Sequence, residues 1–245
     1  MRLSARACLA LVLFLAAATA GFASGDSEDA GWISGSGHVT TVDRGVPAFT
    51  AVELEGSGNL TIRQGPSRAV TVETDENILS AIKTEVVGDV LHLGFKPGTL
   101  VSHMTKLEFT VEVPEISGIT ISGSGNARSA SPLRADAFAL DVRGSGSITC
   151  EMDVGSLQAT IGGSGGITAN GRADRLGVTV NGSGTMRARD LKSAFADVRV
   201  NGSGDATVYA TNTLNISIAG SGSVLYGGGA KPTVRSTGSG GVGTF

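Results

Sequence analysis

Apolar and polar residues alternate through most of the chain beyond residue 33, and the tripeptide Gly-Ser-Gly interrupts the alternation at intervals. Two positions before the first glycine stand Leu54, Ile121, Val142, Ile161, Val180, Val200, Ile218 and Ser236. Four before it stand Val52, Ile119, Leu140, Ala159, Val178, Val198, Ile216 and Val234. Between them lie Glu53, Thr120, Asp141, Thr160, Thr179, Arg199 and Ser217, and Arg235 continues that column. After the tripeptide the alternation resumes. Leu60, Ile148, Ile167, Met186, Ala206 and Val224 form one column, and Ile62, Cys150, Ala169, Ala188, Val208 and Tyr226 the next. A period of two marks a strand with one buried face. Each unit therefore reads as strand, glycine corner, strand and return.

Gly-Ser-Gly begins at residues 35, 56, 123, 144, 163, 182, 202, 220 and 238, in steps of 18 to 21 residues with one step of 67. A unit of this size cannot bury its apolar face alone, and stacked neighbours make a continuous core. The pattern predicts an all-β chain: a single-stranded parallel β-helix, or β-solenoid, with ~20 residues per coil and Gly-Ser-Gly corners. Like residues then stack on like residues ~4.8 Å apart. Glycine suits a corner repeated in every coil because it accepts positive φ and lets backbone approach backbone. Asn181 and Asn201, one position before their corners, are placed to form an amide ladder.

Residues 66–118 break the rhythm. They contain the alternating stretches AVTVETD (69–75), DVLHLGF (89–95) and KLEFTVEVP (106–114). The segment 76–86 reads as a helical turn or irregular return, and 96–105 as a loop. A step of 67 residues predicts three longer, irregular coils without the glycine corner, with a separate small β unit as the alternative. The solenoid domain is thus expected over residues 33–245.

The first 20 residues combine Arg2 and Arg6 with an apolar run from Cys8 to Ala18 and the small-x-small site Ala18-Thr19-Ala20. This predicts a secretory signal peptide over 1–20, cut after Ala20 or alternatively after Ala23, then a linker over 21–32. No other apolar stretch approaches the ~20 residues of a transmembrane helix, and no membrane-barrel strands are expected after the last repeat. The product is expected in the periplasm, on the cell surface or outside the cell. Removing Arg2 and Arg6 leaves 17 basic against 22 acidic residues, which gives no electrostatic reason to expect nucleic acid. Cys150 is then the only cysteine, so no internal disulfide is available.

Chemistry-bearing patterns are scarce. His38, His92 and His103 lack metal-ligand spacing. His92 alternates with Leu91 and Leu93 as an outward residue. Cys150 sits in an inward column. GGSGG at 162–166 mimics a nucleophile elbow at Ser164, but it is one copy of the repeat and lacks the strand-to-helix context. Gly204-Asp205 resembles a calcium β-roll only in passing, because the period is about twice that of such rolls. Glu53, Asp141, Arg199 and Arg235 on the outward column read as a solvated face. Glu53 and Asp141 are expected several coils apart, with no carboxylate pair facing one substrate. Trp32, Tyr209 and Tyr226 are the aromatic rings available to a sugar. Catalytic, cofactor-binding and metal residues are each predicted as none.

The stretches AFTAVELEGSGNLTIRQG (48–65), VTVETDENILSAIKTEVVGDVLHLGF (70–95) and FTVEVPEISGITISGSGNA (109–127), followed by glycine-cornered repeats, resemble the bacterial head GIN domain family, labelled "putative autotransporter adhesin". The resemblance covers most of residues 33–240. It implies an exported right-handed β-helix at the cell envelope and no established catalytic residues. The function expected is a non-catalytic envelope protein offering an adhesin-like surface to envelope or cell-surface polysaccharide or protein, with homo-oligomerisation left open. The alternatives are a carbohydrate-binding or carbohydrate-active β-helix and an envelope scaffold without external ligand.

Overall fold

Inward residues of successive coils stack in the register that the alternation predicts. In the computed structural model, which describes residues 32–245, Val142 pairs with Ile161, Ile161 with Val180, Val180 with Val200 and Val200 with Ile218. All pairings are parallel, and all five side chains are buried. Past the corner, Ile148, Ile167, Met186, Ala206 and Val224 stack in the same way. Burial of each aliphatic side chain is worth about 1.5–3 kcal/mol, and the columns run the length of the solenoid. The strands Ser147–Gly163, Gly166–Gly182, Thr185–Gly202 and Asp205–Gly220 each take up almost a whole coil. The signal peptide assigned to 1–20 and nearly all of the linker lie outside the described residues.

The corner at 202–204 shows why glycine recurs. Gly202 has φ of 127°, a left-handed conformation that a Cβ would strain, and a Cβ there would overlap the carbonyl oxygen of Gly182 in the coil before. At Gly204 a Cβ would lie 2.5 Å from the Gly184 oxygen and 2.6 Å from Cγ1 of Val180. The N–H groups of Ser203 and Gly204 both donate to Gly182, at 2.9 Å each. The corner therefore carries two inter-coil hydrogen bonds in a space that only Cα hydrogens fit. Ser203 itself points to solvent.

The long step departs from the expected plan. Gly123 pairs in register with Gly56, so the coils flanking the step are direct neighbours and no coil stands between them. The intervening strands lie on the other edge of the 51–64 coil. Val90–Phe95 runs parallel to Ala51–Gly56, and Leu107–Val113 parallel to Asn59–Gln64. Together they form one coil without a Gly-Ser-Gly corner. Beyond it the pairing turns antiparallel: Ile82–Val87 on Val90–Phe95, Ala69–Asp75 on Leu107–Val113, and Val39–Asp43 on Ala69–Asp75. The three expected coils are thus one coil and an antiparallel cap. One of these pairs, Ile82–Val87 with Val90–Phe95, is a hairpin joined by a tight turn, as antiparallel neighbours allow. The segment read as a helical turn is a short 3-10 turn, Leu79–Ala81, leading into a strand.

The first Gly-Ser-Gly, at 35–37, is no corner of the stack. It folds over Asp75, whose fully buried carboxylate accepts the N–H of Gly37 at 2.7 Å. A Cβ on Gly35 would meet that carboxylate at 2.8 Å. At the opposite end the strand Pro232–Gly238 completes the stack, and Val234 there is exposed although it belongs to an inward column.

Candidate functional site

The sheet leading into the corners presents one long outer face. Its columns lie one, three, five and seven positions before each first glycine. Strand order places the inserted coil at one end, which brings together side chains that the sequence separates. Glu53 pairs with Thr120 and Thr120 with Asp141, so the two acids are only two coils apart. This corrects the expectation that several coils divide them, because the 67-residue insertion lies outside that interval. His92 stacks beside Glu53.

These groups close on one another. Glu55 accepts Lys83 Nζ at 2.9 and 3.0 Å and meets His92 Nδ1 at 2.8 Å. Ser122 donates to Glu53, Arg143 lies 3.8 Å from Glu53, and Arg143 bridges to Asp141 at 2.8 Å. Partial burial pushes the Glu55 carboxyl up, but the hydrogen bonds from Lys83 and His92 outweigh it and hold the group below its ordinary value. A carboxyl held ionised in this way is poorly suited to act as a general acid near neutrality.

Along the middle of the same face runs an open groove of about 730 Å³ that crosses successive coils from Ser117 to Thr213. Its floor is small where Ala139 and Gly177 stand, and a Cβ on Gly177 would overlap the amide oxygen of Gln158. Its wall carries Phe195, 42% exposed, with the guanidinium of Arg175 5.7 Å from the ring centre. Asp197 and Arg199 line it as well, and Asp197 accepts Asn215 Nδ2 at 2.9 Å. Nearby the predicted amide ladder is formed: Asn201 Nδ2 donates to Asn181 Oδ1 at 2.8 Å.

The remaining candidates stay apart. His38 precedes the strand 39–43, His92 is on 90–95, and His103 lies on Val101–His103, a short strand rather than a loop. No group of metal-ligating side chains forms among the described residues. Cys150 is buried, and burial pushes its thiol up to about 12. Ser164 is an exposed corner residue, and Asp205 accepts the N–H of Ser223 in the next coil. Trp32 is exposed but lies at the start of the described chain, and Tyr226 packs partly against the core. Phe195 is the ring that the sequence reading passed over. Strict alternation back from Val200 through Val198 and Ala196 turns it outward, so the signal was present.

A family model described as "Putative auto-transporter adhesin, head GIN domain" matches residues 48–230. The chain belongs to the head GIN domain family. The head GIN fold recurs in crystal structures of bacterial proteins. A putative adhesin from Bacteroides fragilis NCTC 9343 aligns with a TM-score of 0.82 and 22% identity, over 87% of this chain and 100% of that one. A putative adhesin from Parabacteroides distasonis ATCC 8503 aligns at 0.72 with 25% identity, over 88% and 100%. A second protein of that organism, described as a putative lipid binding protein, also aligns at 0.72, with 23% identity over 88% and 100%. No curated protein matches this head GIN chain. Among the described residues no helix is long and apolar enough to cross a membrane.

Proposed function

We propose that this head GIN protein is exported to the cell envelope and works by contact, the outer face of the sheet before the corners being its interaction surface. The groove across successive coils of that face carries this reading. It is long, open and lined by polar side chains, small apolar residues and one exposed ring, a form suited to an extended partner. The adhesin description of the family agrees with a surface role.

Contact rather than catalysis is supported by the closure of the carboxylates. Glycosidic chemistry needs two carboxyl groups free to face one substrate across ~5–10 Å. Here Glu53, Glu55 and Asp141 are each engaged by a basic side chain. The test has two arms. Labelled protein is applied to isolated bacterial envelopes, and Thr160→Glu/Thr179→Glu on the face is compared with Thr149→Glu/Arg187→Glu on the sheet after the corners. Binding should fall for the first pair alone, and equal loss or none refutes the face. In the second arm, a panel of neutral and acidic polysaccharides should remain uncleaved. Turnover abolished by Glu53→Gln would refute the non-catalytic reading.

A further inference from the structure

We propose that the groove binds an anionic polysaccharide, a chain of carboxylate-bearing sugar rings laid along the solenoid axis. This rests on the outer face being the interaction surface and narrows it to a ligand class.

The first observation is an imbalance of charge along one face. At the inserted-coil end, Lys83 pairs with Glu55, Arg143 lies between Glu53 and Asp141, and His92 contacts Glu55, so the basic side chains there are already engaged by acids. Toward the other end stand Arg175, Arg199 and Arg235, exposed, and none of them has an ion-pair or hydrogen-bond partner among the described residues. Asp197 beside them keeps its charge while accepting the amide of Asn215, so the three guanidinium groups outnumber that one acid. The chain as a whole carries a net charge of −3. Unpaired guanidinium groups gathered on one face of an acidic protein mark a local positive field that attracts an anion. Arginine also presents a fork that matches a carboxylate bidentately.

The second observation is the ring. Phe195 is 42% exposed in the groove, with the Arg175 guanidinium 5.7 Å over its ring. A pyranose has an apolar C–H face and polar edges, so one ring of the chain can lie on Phe195 while its carboxylate reaches Arg175. Gln158 and Thr213 supply hydrogen-bonding groups on the coils to either side.

The third is shape. The groove crosses the coils, which succeed one another every ~4.8 Å. A ligand made of repeating rings meets a protein made of repeating coils. Small residues at Ala139 and Gly177 keep the floor low. A lipid would need an enclosed apolar slot for its chains, whereas this groove is open and carries Arg175, Asp197 and Arg199 in its lining.

The test is affinity electrophoresis of the purified protein through gels containing polygalacturonate or uncharged dextran. Polygalacturonate should retard the protein and dextran should not, and added salt should weaken the retardation. Arg175→Ala/Arg199→Ala should reduce affinity about tenfold or more and Phe195→Ala severalfold. Arg128→Ala, on the other sheet, should leave it unchanged. All of these side chains face solvent, so unchanged thermal melts separate lost binding from lost fold. Retardation unaffected by the arginine pair overturns the proposal. So does binding to phosphatidylglycerol vesicles without binding to polygalacturonate. If the arginine pair variant keeps full envelope binding while Thr160→Glu/Thr179→Glu loses it, the glycan assignment fails and the face survives. If neither variant affects envelope binding, the face itself is wrong.

Discussion

The carboxylate of Asp75 is bound twice by Thr105, whose N–H and hydroxyl each donate at 2.8 Å. Gly37 adds a third donor, and the neighbouring Asn77 ties down Ser36 and Ser34. One buried acid thereby joins the segment 33–37, the strand 69–75 and the turn before Leu107. The backbone N–H of Thr105 contributes most to holding the Asp75 carboxyl below its ordinary value, against burial, which pushes it up.

Asp75 therefore makes stability depend on pH. A carboxyl whose folded pKa is depressed stabilises the fold above its unfolded pKa of about 3.9, and that stabilisation is lost as pH falls through the folded value. Asp75→Asn should be clearly less stable than the parent at pH 7, since the amide NH₂ would confront donors. The gap should narrow as the pH is lowered through the acid range. Denaturant melts at a series of pH values check this, and a gap that stays constant down to pH 2 refutes it.

Gly204 tests the corner. A side chain there meets the Gly184 carbonyl at 2.5 Å and Val180 at 2.6 Å, one of them backbone that cannot swing away. Gly204→Ala should destabilise by about 3 kcal/mol, the upper range for overpacking. Gly45, whose Cβ position is open and whose φ is not positive, is the control. Gly45→Ala should be neutral or stabilise by up to about 1 kcal/mol, through the unfolded chain. Equal effects in urea melts would show that the corners tolerate side chains.

Cys150 reports on the integrity of the stack. With its thiol pushed to about 12 by burial, a pH of 8 leaves only about one part in ten thousand as the reactive thiolate, before access is considered. In a Cys8→Ser background the native protein should resist a disulfide reagent and react at the rate at which it unfolds. Rapid native labelling would mean that the column opens locally.

What the sequence disclosed, and what it withheld, follows from the range of the interactions. The inward places of Val198 and Val200 and the outward place of Arg199 are set by a two-residue period. Phe195 obeys the same period, and its exposure was legible with stricter counting. The partner of Leu54 was not legible. Its strand pairs with Ile121 on one edge and Leu93 on the other, and both neighbours carry the same alternation. Nor does alternation distinguish Ala69–Asp75, which pairs antiparallel, from a parallel coil. The cluster of Glu53, Glu55, His92 and Lys83 depends on that strand order. It stayed invisible until the inserted strands were known to lie at the end of the stack.

Val200 and Thr179 test inward against outward on adjacent coils of the same sheet. Val200 is fully buried, stacked between Val180 and Ile218, so both neighbours in its column are aliphatic and neither can receive a charge. Val200→Asp would either bury an unpaired carboxylate or keep it protonated at a cost of similar order, so a loss of roughly 3–5 kcal/mol is expected. Thr179 pairs with Arg199 in the outward column, only half-buried. Thr179→Asp places its charge beside a guanidinium and in water, and should change stability by about 0.5 kcal/mol or less. The two substitutions add the same group one coil apart. A difference between their urea midpoints, with equal slopes, therefore reports the facing alone. Comparable losses would mean that the outer face is itself packed against something, and that the columns do not divide core from solvent.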